Sequence, residues 1–224
     1  MTPEPPLAEH RAALTEVVRR TVGSGSATAR FAMQANPPDL ADYDYGEGVL
    51  DFRRRRSAVS YFIGDRASEG PVLEQVIDRD VTYLRIGGSA ADWEQAQLGD
   101  PDEFAPAGDA NGFLELLDAP GEVRPLTCAD EIDGSLAQRY ALAIEPPRST
   151  LRDRLASRFG VRGPTRFWLE AWIDAEGMVR RIATCDHEPN EDGSLRTGSV
   201  RTIVEFDDLG VPVAVDIPRT TASG

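Results

Sequence analysis

Gly23-Ser24-Gly25-Ser26-Ala27-Thr28-Ala29-Arg30-Phe31-Ala32-Met33-Gln34 is where the chain changes its hydrophobic period. Before it, Leu7, Leu14, Val18 and Thr21 recur at helical steps, and Pro6 suits a first helical turn, so a helix is expected over about 6–22, stopped by Gly23. After it, Ala27, Ala29, Phe31 and Met33 alternate with Thr28, Arg30 and Gln34, the pattern of a strand with one face buried.

Outward from that strand, short runs of the same kind occupy 48–54, 58–63, 72–78 and 81–86, separated by Gly, Asp, Ser and Pro clusters that read as turns of a meander. A loop follows from Gly87 to Asp109. Asp109 is a candidate N-cap for a short helix carrying Phe113, Leu114, Leu116 and Leu117, closed by Pro120-Gly121. Runs at 123–132 and 136–145 turn back at Asp133-Gly134, and a third helix is expected from Leu151 to Phe159. Runs at 167–173 and 178–186 flank Asp174-Ala175-Glu176-Gly177, and 200–206 supplies the last strand. About ten strands and three helices in this order predict an α+β fold with one curved antiparallel sheet and helices gathered on one face. The expectation is a single domain over 1–224 with a frayed tail at 219–224.

Composition narrows function. A formal net charge of -14 repels phosphate backbones, so no nucleic-acid partner is expected. All 24 basic residues are Arg, a skew that a GC-rich genome produces. No integral membrane segment and no export signal is read, and Met1 stands directly before the first helix, so the expected location is cytoplasmic; the alternative is the cell envelope if an export segment is missing from this sequence. Cys128 and Cys185 fall on strands three steps apart, about 14 Å, so two free thiols are expected.

Motifs that would carry chemistry are weak. Cys185-Asp186-His187 pairs a thiol with an imidazole but lacks the further ligands of a metal site. The Gly23–Thr28 run follows a helix and precedes a strand, the reverse of a phosphate loop, and Asp42–Glu47 has Gly46 where a third calcium ligand belongs. Asp78/Asp80, Asp100/Asp102 and Asp207/Asp208 read as solvated turns. Arg53-Arg54-Arg55-Arg56 reads as a charged strand end, two guanidinium groups to a side, that discourages edge pairing; its alternative is a dock for an anionic headgroup or an acidic protein.

A set of motifs in order carries a family resemblance. Trp172-Ile173-Asp174-Ala175-Glu176-Gly177-Met178-Val179-Arg180-Arg181 is followed by Phe206-Asp207-Asp208-Leu209-Gly210-Val211-Pro212-Val213 and Pro218. Upstream lie Asp80–Arg85, the Trp93 loop, Phe113–Leu117 and Asp133-Gly134 before Tyr140. Over about residues 10–218 the chain resembles the LppX/LprG-type lipoproteins of actinobacteria, within the LolA-like superfamily. The resemblance implies a strongly bent half-barrel with helices on its concave face and an apolar cavity that carries acyl chains. It implies no catalytic residues. This sequence departs from the secreted members in having no lipobox cysteine ahead of Cys128.

The resulting expectation is a non-enzymatic binding or carrier protein, with no cofactor or metal, that shelters a lipid or other apolar small molecule between sheet and helices. Candidate lining residues are Phe31, Met33, Leu50, Phe52, Tyr61, Tyr83, Leu114, Leu117, Tyr140, Trp168, Trp172 and Phe206. An ordinary filled core is the alternative for each. Trp168 and Trp172 are expected to share a face with Leu142 and Ile144 as neighbours. The rival function is a protein-interaction module on the same fold with a filled core, no ligand and an unknown protein partner.

Overall fold

The structure, a computed structural model, describes residues 7–37, 45–63, 70–79, 81–87, 92–97, 110–119, 121–144, 167–185, 187–188 and 194–219. Eleven strands and two helices lie among them: α1 (Leu7–Gly23), β1 (Ser26–Asn36), β2 (Tyr45–Asp51), β3 (Arg56–Phe62), β4 (Leu73–Asp78), β5 (Val81–Ile86), β6 (Glu94–Gln97), α2 (Ala110–Asp118), β7 (Gly121–Ile132), β8 (Ser135–Ile144), β9 (Phe167–Asp174), β10 (Val179–Cys185) and β11 (Ser199–Asp207). All strands join one open sheet in the order β6-β5-β4-β3-β2-β1-β11-β10-β9-β8-β7, with antiparallel neighbours throughout. Only the β1–β11 pairing joins strands distant in sequence, so the sheet is two meanders sewn together by its first and last strands.

Local chemistry sets the turns. Asp133 and Gly134 both have positive φ, 47° and 77°, the conformation a two-residue hairpin turn needs to match strand twist, which fixes the β7–β8 register. Asp174 closes the β9–β10 turn by accepting the Met178 amide at 2.8 Å and the Arg180 Nε at 2.6 Å. Burial works to raise the Asp174 carboxyl, but the Met178 amide and Arg180 outweigh it and hold it below its ordinary value. Helix α1 is pinned to this corner: the Val179 amide donates to Thr21 Oγ1 at 2.9 Å, and Arg20 donates to the Glu176 carbonyl at 2.6 Å.

α1 lies chiefly against α2, β7 and β10. Leu14 and Val18 of α1 and Phe113, Leu114, Leu116 and Leu117 of α2 share a core with Ala27, Ala29, Phe31, Val204 and Phe206. Both helices therefore cover the same sheet face.

Two expectations change. The four arginines are not a strand end with two guanidinium groups to a side: Arg53 to Arg55 form the β2–β3 turn, with Arg55 at φ 56°. Arg54, Arg55 and Arg56 pair with Asp51, Glu115 and Asp78 respectively, which spends their charge locally. Strand β10 ends at Cys185, so the strand that would align Cys185 with His187 stops short. Cys185 is buried, and the side chain of Cys128 lies outside the described residues, as do Asp109 and the helix expected over 151–159.

Candidate functional site

Two rows of side chains, one residue apart along every strand, run across the sheet on opposite faces. On the helix face the registered row is Tyr140, Ala171, Ile182, Val204, Phe31, Gly46, Tyr61, Leu73 and Ile86, from β8 to β5. On the opposite face it is Arg139, Trp172, Arg181, Glu205, Arg30, Glu47, Ser60, Glu74 and Arg85. Strand alternation accounts for this division, since neighbouring residues point to opposite faces.

The helix-face row is continuous and apolar. Phe31 meets Tyr61 edge to face at 5.9 Å across β2, and Gly46 lies between them in the ladder. A Cβ on Gly46 would come within 2.8 Å of Tyr61 Cδ1, so glycine is what lets the two rings close over the backbone. At the β5 end the row emerges: Leu73 is 7% exposed, but its register partner Ile86 is 67% exposed, and Ile63, at the end of β3, is also exposed.

On the opposite face the chemistry is ionic. Two guanidinium groups lie over the Trp172 ring, Arg139 at 4.9 Å and Arg181 at 5.2 Å, and its indole N–H donates to Asp130. Glu170, 3% exposed, takes Arg139 on one carboxylate oxygen and Arg201, at 3.3 Å, on the other. Arg201 also donates from Nε to the Cys185 sulfur at 3.4 Å. Further along the row Arg30 gathers Asp207 at 2.8 Å, Asp133 at 3.0 Å and Glu205 at 3.4 Å, and the hydrogen bond it donates to Asp207 foremost strengthens its hold on its proton. Burial raises the Asp207 carboxyl, whereas hydrogen bonds from Asp207 and then Arg30 hold Asp133 low, so Asp133 carries the negative charge of the pair first.

Over β1 to β4 the same face is hollowed into a groove of about 540 Å³. Val49, Ala58 and Val76 are among its apolar lining, and Arg30, Glu47, Glu74, Asp207 and Trp93 among its polar and aromatic lining.

The register sorts the twelve candidate lining residues. Phe31, Met33, Leu50, Phe52, Tyr61, Leu114, Leu117, Tyr140 and Phe206 all belong to the helix-side core or pack against it. Trp168, Trp172 and Tyr83 do not. Trp168 and Trp172 share a face, as expected, but they pair with Ala143 and Arg139, while Leu142 and Leu169 pair on the helix face. Trp172 instead packs with Ile132, Ala137, Ala183 and partly buried Ile203 on the opposite face. Tyr83 pairs with Val76 on that face too. Alternation from Arg139 or Glu170, charged residues that belong away from the apolar core, was the signal that would have placed both tryptophans.

Solved structures match this architecture almost end to end. LprF from Mycobacterium bovis superposes with a TM-score of 0.58 at 13% identity, covering 96% of this chain and 99% of its own. The Mycobacterium tuberculosis lipoprotein LppX superposes with a TM-score of 0.59 at 12% identity, covering 93% and 99%. The fold is that of the LppX-type lipoproteins. The resemblance read from the sequence thus holds at the level of the LppX-type fold. A LolA superfamily protein from Nitrosomonas europaea aligns over 86% of the chain with a TM-score of only 0.32. No protein-family model matches the chain, and no curated protein does. No helix among the described residues is long and apolar enough to cross a membrane.

Proposed function

We propose that this protein is a non-enzymatic carrier that shelters an apolar ligand, lipid acyl chains, between its sheet and its helices, the sheet bending about its helix face as a half-barrel. The observation that carries the reading is the helix-face row: it stays apolar across nine strands and outruns α1, which lies chiefly over β7 and β10, to end at exposed Ile86. An apolar row that continues past its cover suits something else apolar. At about 0.8 kcal/mol per buried methylene, ten carbons contribute on the order of 8 kcal/mol before ordering costs, enough for useful affinity without a charged contact. The near end of the ligand would meet Tyr61 and Met33, and the other helix-face candidates from Phe31 to Phe206 would form the wall behind it.

The matching LppX-type fold, one of whose solved examples is a lipoprotein, supports this reading. It also favours the cell envelope as the site of action, in place of the cytoplasmic expectation.

One observation favours the rival, a protein-interaction module. Phe31, Leu50, Phe52, Tyr61, Leu114, Leu117 and Phe206 are all buried in one mutually packed cluster, as in a filled core. Native mass spectrometry after gentle purification separates the two. A retained mass of lipid size supports the carrier; a clean chain mass, with no uptake of added fatty acid, supports the module.

A further inference from the structure

The groove on the face away from the helices has no part in the carrier reading, and its chemistry is specific. Its floor spans β1 to β4, three interstrand steps or about 14 Å, and its volume of about 540 Å³ is that of a small-molecule site. Val49, Ala58 and Val76 are short apolar side chains on one registered row, which leaves room above the backbone for a flat apolar body.

The charges on the adjoining row are unequally spent. Arg30 faces Glu47 in register, yet its guanidinium is taken by Asp207, Asp133 and Glu205. Glu74 is paired with Arg85 at 2.6 Å. Glu47 is exposed and makes no ion pair among the described residues, so it is left as the groove's unneutralised carboxylate. Trp93, which also lines the groove, already holds one guanidinium, that of Arg85, 4.7 Å from its ring centre.

We infer that this groove binds a small organic cation, an amidinium, guanidinium or ammonium group on an apolar body, with the cation at Glu47 and the body laid on Val49, Ala58 and Val76 beside Trp93. An anion would face Glu47, Glu74 and Asp207 with Arg30 already engaged, and a neutral apolar molecule would bury the Glu47 charge unpaired. The modest volume favours a small molecule over a protein segment.

The test is calorimetric titration of the full chain with benzamidinium, benzoate and benzyl alcohol, which share a ring and differ in charge. Benzamidinium is expected to saturate one site, to bind about fivefold more weakly to Glu47→Gln, and to weaken as salt is raised. Trp93→Ala is expected to weaken it as well, and thermal melting of both variants checks that each is folded. Fatty-acid binding is expected to be unchanged by Glu47→Gln, so failure here and failure of the carrier reading are separate results. No saturable heat with benzamidinium, equal affinity for all three probes, or binding indifferent to both variants would overturn the inference.

Discussion

The two faces of this sheet differ by one residue along each strand and by almost everything in their energetics. The helix face is held by apolar burial and close packing, which are non-directional and tolerate a continuous surface. The opposite face, over β8 to β11, achieves comparable burial with Arg139, Arg201 and Glu170 at 13%, 11% and 3% side-chain exposure. There every contact needs a partner of the right sign, because an unpaired buried charge is costly. The lesson is that burial alone does not identify a ligand-sheltering face in this fold; Trp172 is as buried as Phe52 and lies beneath the guanidinium groups of a salt-bridge network.

The largest effect should come from breaking the apolar row. Phe31→Ala removes a ring packed on Tyr61 and is expected to cost about 3–5 kcal/mol in denaturant unfolding. A loss below about 1 kcal/mol would mean the row is not a packed core. Glu170→Ala leaves Arg139 and Arg201 without their shared carboxylate and is expected to cost about 3 kcal/mol. If it proves near neutral, the opposite face is not a second stabilising layer. Trp172→Ala sharpens the contrast: it should destabilise substantially, by about 3 kcal/mol, and by the same amount with and without a fluorescent fatty acid, since the indole faces away from the proposed ligand.

How far the sequence could be read follows from the same contrast. Period-two alternation from Ala27 to Gln34 and the Asp133-Gly134 turn are local signals, and both hold in the structure. The β1–β11 closure has no local signal at all, because it joins Phe31 to Val204. Aromatic content is a poorer guide to the face than alternation: Trp168 and Trp172 look like helix-side core, yet the charged Glu170 between them shares their face. The groove has no local signal, because its walls, Glu47, Glu74 and Trp93, come from three separate segments that only strand register assembles.

A smaller effect tests the corner where α1 meets the sheet. The Asp174 carboxyl is held below its ordinary value in the folded chain, so its stabilising contribution is present above about pH 4 and is lost as pH falls through the folded value. Asp174→Asn should cost about 1–3 kcal/mol at neutral pH and flatten the fall of melting temperature in acid. An unchanged acid limb would remove Asp174 from the account.

The central claim is that apolar ligand sits on the helix face where the row emerges at Ile86. The direct measurement is saturation binding of a fluorescent fatty acid to wild type, Ile86→Glu and Glu47→Gln. Ile86 is exposed, so Ile86→Glu should fold with a melting temperature close to wild type while weakening binding about tenfold or more. Glu47→Gln, on the other face, should leave affinity within about twofold. Saturable binding that Ile86→Glu leaves intact, or no saturable binding to the wild-type chain at all, would contradict it.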